Sequence, residues 1–262
     1  MMAKSQWIVL SSVMLLFSIL YFGLNNKSSN RGKIDRTRSL TAESTDIGAL
    51  LPPAKAELSP DNAAIVGALE AALAEAQNDS SKIELIEQLS GNWYRWGRPD
   101  ISGYYAEQIA LKINSARAWS IAGTTYAIGT QRSSEDKVRT FCTGRAVKAF
   151  ENAISLEPEN IDHRLNLAVC LADNPPANNP MRGIKMLLDL NTQNPEEVKV
   201  LNTLARFGLQ TGQFEKAVQR LEKVLTIDPA NQTAICLLSK AYEGLGQTAK
   251  AAGYAEKCQS AR

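Results

Sequence analysis

Cys142, Cys170, Cys236, Cys258 and His163 are the residues of this chain whose types best suit nucleophilic or metal chemistry. No two of the cysteines form a C-x-x-C pair, and a single histidine does not complete a zinc set of ordinary spacing, so no metal is expected. The cysteines fall inside helical patterns, at positions where small apolar residues belong, and read as buried free thiols. Pairing of Cys236 with Cys258, on the two helices of one unit, is the alternative. His163 stands beside Asp162 and Arg164 near a helix start, where a surface or capping role is expected. Glu157 with Glu159 and Glu196 with Glu197 flank prolines at helix starts, where carboxylates favour the helix dipole. There is no phosphate-binding G-x-x-x-x-G-K-[ST], no G-x-S-x-G and no H-E-x-x-H. No catalytic residue and no cofactor are expected.

What the chain has instead is repetition. Between Pro195 and Pro229 lie Leu201, the pair Leu204-Ala205, a Gly212-Gln213-Phe214 turn, Ala217, Leu221 and Val224. That spacing predicts two short antiparallel helices, a tight turn between them and a proline closing the unit. The unit recurs on both sides. Trp119, Ala122-Gly123 and Tyr126 open one copy, and Ala146, Phe150, Ala153 and Pro158 close it, with about eleven extra residues between Tyr126 and Ala146. Ile86, Leu89-Ser90 and Trp93 open an earlier copy, which continues through Ser102 and Ala106. Leu167-Ala168, Leu171, Gly183, Leu187 and Pro195 make a third, stretched around Asn174–Pro180. Ile235, Leu238-Ser239, Tyr242, Gly246 and Ala251 make the last.

These motifs resemble the tetratricopeptide repeat (TPR) family. The resemblance covers roughly residues 83 to 258 and implies an all-α fold, an α-solenoid of about five TPR helix pairs. Small residues such as Gly123, Ala205 and Ala217 allow helices to approach closely, and large ones fill the gaps between repeats. The extra residues of the second unit are expected to extend its helix pair or to form a surface loop outside the repeat core, and the run Gln131–Lys137 is too polar to bury. Trp93, Tyr94, Arg95 and Trp96 are expected to plug one end of the array rather than form an exposed platform.

Ahead of the array the composition changes. Residues 1–6 are a short tail. Residues 7–24 run without a charge from Trp7 to Leu24, about 27 Å as a helix, and are expected to form an uncleaved transmembrane anchor with aromatic residues at both ends. Residues 25–58 are rich in Asn, Ser, Thr and charge, and Pro52-Pro53 interrupts helical pattern, so a flexible linker with a reach of roughly 30 Å is expected. Ser59-Pro60 then starts a capping helix over 59–78, and 79–262 form the array. Five basic residues follow the anchor against Lys4 before it, which favours the cytoplasmic side of the inner membrane for the array; the outward side is the alternative.

Six of the 29 Lys and Arg residues and one of the 27 acidic residues lie in the first 39 positions. The remainder, with 23 basic and 26 acidic residues, lacks the footprint of a nucleic-acid binder. The resemblance implies a groove lined mainly by first helices that holds a protein or peptide partner. On that helix phase Arg117, Asn166, Lys199, Asn202, Arg206 and Lys240 point toward the groove, where the four cations would form a basic stripe for an acidic or polar peptide; an ordinary solvated face is the alternative. Some TPR domains clamp a C-terminal carboxylate; Asn166 and Lys199 match two clamp positions, but Ser120, Thr124 and Thr203 fill the others. The expected function is a non-enzymatic, membrane-tethered scaffold. An accessory of protein export or cytochrome c maturation facing the periplasm is the alternative, and an enzyme with an unrecognised site is a third reading.

Overall fold

The computed structural model describes residues 46–260. The anchor expected over 7–24 and most of the expected linker lie outside them. The described residues fold into twelve helices in chain order: α1 (Ile47–Ala56), α2 (Pro60–Glu75), α3 (Asp79–Arg95), α4 (Pro99–Ile113), α5 (Ala116–Arg132), α6 (Asp136–Leu156), α7 (Ile161–Asp173), α8 (Arg182–Gln193), α9 (Val198–Gln210), α10 (Phe214–Ile227), α11 (Gln232–Gly244) and α12 (Thr248–Ser260). From α3 onward they form five helix pairs. From α2 onward each helix packs on the next in the chain, α1 packs on α4, and α5 also touches α7 as α9 touches α11, the contact pattern of stacked repeats.

Two kinds of turn build the array. Inside three of the five pairs, the chain reverses at a glycine with positive φ: Gly97 at 78°, Gly212 at 71° and Gly246 at 70°. In each, the following amide donates back to a carbonyl in the last turn of the helix, Arg98 to Trp93, Gln213 to Gly208 and Gln247 to Tyr242, so the orphan carbonyls are satisfied. At three of the four junctions between pairs, the chain turns before a proline; the α4–α5 junction turns at Asn114, with φ of 48°. Glu157, Asn194 and Asp228 precede Pro158, Pro195 and Pro229 and are extended, with φ of −133°, −134° and −132°, because the proline ring disfavours helical backbone there. Three residues on, Asn160, Glu197 and Asn231 accept from a backbone amide of the next helix and start it.

The core is apolar and close-packed. Trp93, Tyr126 and Phe150 are fully enclosed, as are Leu89, Leu187, Leu221 and Leu238, one or more from each pair. Trp93 meets Trp96 edge-on at 5.6 Å, beneath the end of the array that α1 and α2 cover. Tyr94 alone of that aromatic group is exposed, with Arg132 over its ring.

Two expectations need correction. The linker was expected to run to residue 58 because of Pro52-Pro53, yet Ile47–Ala56 is helical with both prolines inside it. Leu50 and Ala54 are buried in the core, while the prolines, with Gly48 and Ala49 one turn before them, are exposed, so the carbonyls left unbonded are open to solvent. Lys55 also pairs with Glu70 of α2 at 2.6 Å, and Tyr105 of α4 donates to the same carboxylate. Tertiary burial outweighs local propensity here.

The extra residues of the second pair extend its two helices rather than forming a surface loop, and Gln131–Lys137 stays at the surface. Val138, Phe141 and Cys142 just beyond it are buried among residues of α1, α4 and α5. Two of the four thiols are also not free: Cys236 and Cys258 form a disulfide with Cα atoms 5.0 Å apart, whereas Cys142 and Cys170 are free and buried.

Candidate functional site

Two clefts adjoin along the first-helix side of the array. One, of about 500 Å³, lies among α3, α4 and α5 and is lined by Ala106, Ile109, Ile113, Ala118 and Ile121, with Glu87 and Ser90 at its edge. Ile113 and Ile121 are about half exposed, which leaves apolar surface open to a ligand. The other, of about 640 Å³, lies among α5, α7 and the start of α9, and its lining is the more polar of the two: Ser120, Asn160, Asp162, Asn166 and Lys199, with Ile121 and Leu165 beside them. Arg117 and Ile121, one helical turn apart on α5, belong to both.

The six residues expected on this face do not act as one basic stripe. Lys199 is exposed and grips both carboxylate oxygens of Asp162 at 2.8 and 2.9 Å, which also raises its pKa. Arg206 reaches Asp173 at 3.4 Å and lies over the Phe207 ring. Each pair crosses from α9 to α7, so these charges join neighbouring repeats and are largely neutralised. Asn202 donates to the Asn231 side chain, the cap of α11, while its own oxygen is buried without a partner. Asn166 lines the polar cleft. Lys240 is exposed on α11, away from both clefts. Arg117 takes part in none of the ion pairs among the described residues.

His163 differs from expectation. It is 6% exposed rather than on the surface. Its Nε2 lies 3.1 Å from Glu157, and its Nδ1 is buried without a partner. Hydrogen bonds from Asn160 and His163 hold the Glu157 carboxyl below its usual range. The three tie the proline turn between α6 and α7 into the wall of the polar cleft. No residue in the cleft pairs a nucleophile with a base, and among the described residues no group of three or more metal-ligating side chains gathers.

A smaller recess of about 220 Å³ opens at the opposite helix ends, between the α3–α4 and α5–α6 turns. Arg98 crosses it to the buried Asp100 at 2.8 Å and to Glu57 beyond α1 at 3.5 Å. Its charges are committed to closing the turn.

Sequence reasoning missed Ile109, Ile113 and Ile121. Ile121 carried a usable signal: it is apolar yet stands off the core phase set by Trp119, Ala122, Gly123 and Tyr126. Asp162 and Asp173 carried none, since their partners are 37 and 33 residues away.

A tetratricopeptide repeat model matches residues 208–256, from the end of α9 into α12. Among solved structures, the chain resembles PilW, described as a widely conserved type IV pilus biogenesis factor. The identity is 19%, over 70% of this chain and 78% of that one, with a TM-score of 0.50. MamA 41-end from Desulfovibrio magneticus RS-1 matches at 18% identity over 71% of this chain and 96% of that one, with a TM-score of 0.46. No curated protein matches the chain. Residues 208–256 therefore carry a tetratricopeptide repeat, and the likeness to PilW is one of fold.

Proposed function

We propose that this chain is a membrane-tethered scaffold without enzymatic activity, which holds a segment of a partner protein in the two adjoining clefts. The observation that carries the reading is their junction. Arg117, a cation with no ion-pair partner among the described residues, stands beside Ile121 where an apolar cleft gives way to a polar one. A segment with two or three apolar side chains followed by a carboxylate complements that order. The apolar part supplies affinity and the charge supplies register and encounter rate. The uncharged run from Trp7 to Leu24 supports the tether.

A photocrosslinking residue at Ser120, within the polar cleft, should capture a discrete partner in living cells. Arg117→Glu with Ile121→Asp should lower that recovery while leaving helicity intact. Lys137→Glu with Lys223→Glu, both exposed on second helices, serves as control. Equal recovery from both double variants would remove the clefts as the site. The tether is read separately: the protein should stay with membranes in alkaline carbonate and keep its N-terminal residues.

Two orientations follow from a tether. The basic residues after the anchor support the cytoplasmic side. The disulfide between Cys236 and Cys258 supports the outward side, which the reading as an accessory of protein export or cytochrome c maturation requires.

A further inference from the structure

The disulfide joins the two helices of the last described pair. Cys236 sits in the second turn of α11 and Cys258 near the end of α12. The pair differs from the others in how its second helix is held. The helices α4, α6, α8 and α10 each bury several side chains, whereas α12 buries none. Ala251 and Tyr254 are its partly buried apolar contacts with the core. The covalent link falls where apolar packing is thinnest. A hydrogen bond adds to it: Gln232, one turn before Cys236, donates to the Cys258 carbonyl at 2.8 Å.

The other two cysteines are arranged in the opposite way. Cys142 is fully enclosed between α5 and α6, with Gly129 alongside it, and Cys170 is 3% exposed in α7. Burial pushes their thiols up to about 12 and about 11. Thiolate is the species that enters disulfide exchange, so these two are kept out of it. One chain thus holds two thiols shielded from an oxidant and two, only partly buried, that are linked.

We infer that the array stands on the oxidising side of the membrane, where the link between Cys236 and Cys258 secures α12 in place of the apolar burial that secures the other second helices. The oxidant is a protein disulfide of that compartment. The Cys236 thiolate attacks one of its sulfurs, forming a mixed disulfide and releasing one thiolate. The Cys258 thiolate then attacks the Cys236 sulfur, closing the bond and expelling the second thiolate. Two electrons pass to the oxidant, and the two thiol protons go to solvent. In a cytoplasm kept reducing by glutathione and thioredoxin the same pair would stay open. The orientation rests on the tether proposed above, but the oxidation does not.

The experiment uses the full-length chain in bacterial cells, quenched in acid and denatured before thiols are alkylated with a maleimide of added mass. Two thiols should be modified without reduction and four after it. Cys236→Ser with Cys258→Ser should show the same two thiols under both conditions. Limited proteolysis of the purified protein should clip α12 in this variant and spare it in the parent. Alkaline phosphatase fused after Arg262 should be active. Four free thiols in the unreduced parent, or an inactive fusion to a protein that sediments with membranes, would overturn the inference. Carbonate extraction of a fully oxidised protein would instead remove the tether and leave the oxidising compartment standing.

Discussion

Gly183 of α8 lies against the backbone of α7 so closely that a Cβ built on it would stand 2.6 Å from the carbonyl oxygen of Ala168. It would also meet the amide nitrogen of Ala172 and the carbonyl carbon of Leu171. All three obstacles are backbone, so α7 and α8 can admit a methyl group only by moving apart. Gly183→Ala should therefore cost roughly 1–3 kcal/mol, read from a denaturant midpoint. Gly144→Ala in α6, with open space around the added carbon, should stabilise by up to about 1 kcal/mol. If the two substitutions shift the midpoint alike, the α7–α8 approach is not as close as described.

Tyr126 donates to Glu107 at 2.7 Å from the first helix of one pair to the second helix of the preceding one, and Arg145 donates to the other oxygen at 3.0 Å. The tyrosine is fully buried and the carboxylate nearly so. Glu107→Ala strands a buried hydroxyl and should cost roughly 1–3 kcal/mol. Tyr126→Phe should cost about 1 kcal/mol in the parent and close to nothing once Glu107 is alanine. Additive effects in this cycle would mean that the two groups do not hold the repeats together.

The lengthened helices of the second pair make a sharper contrast. Phe141 lies edge-on to Tyr126 at 5.7 Å with Arg145 over its ring. Phe141→Ala should cost about 3–5 kcal/mol, as for any well-enclosed aromatic. Lys137→Ala, one turn earlier and exposed, should change stability by no more than about 0.5 kcal/mol. Equal, small effects would return this segment to the surface.

Alkaline pH should weaken the array. Burial, with the nearby charges of Asp100 and Asp173, raises the thiols of Cys142 and Cys170 from an ordinary 9.0 to about 12 and about 11. A raised folded-state pKa means that the folded chain holds its proton more tightly than the unfolded chain. The contribution is complete below pH 9 and is lost as pH rises through 11 and 12. Burial and Glu107 shift the Tyr126 hydroxyl in the same direction. The denaturant midpoint should fall between pH 9 and 11, and more gently in Cys142→Ala with Cys170→Ala. An identical slope in that variant would assign the loss to tyrosine alone.

The helix pairs were legible because their signal is local. A repeating order of large and small residues sets which face of each helix is buried, and Gly212 and Gly246 mark turns that need positive φ. Trp119, Gly123, Tyr126 and Phe150, matched to the TPR pattern by their types and order, are all buried. Four features depended on contacts that the periodicity of a single helix does not encode. The helix through Pro52-Pro53 exists because Leu50 and Ala54 find a core made by later helices. Arg206 and Lys199 lose their free charge to Asp173 and Asp162, partners supplied only when α9 stacks on α7. His163 is buried by the turn that brings Glu157 to it. Cys236 and Cys258 were legible as a possible pair, but bonding requires their Cα atoms to come within about 7 Å, which the packing of α12 on α11 decides. Periodicity reports the face a residue occupies on its own helix. Which residue it meets there is set by the register between repeats, and that register exists only in the folded array.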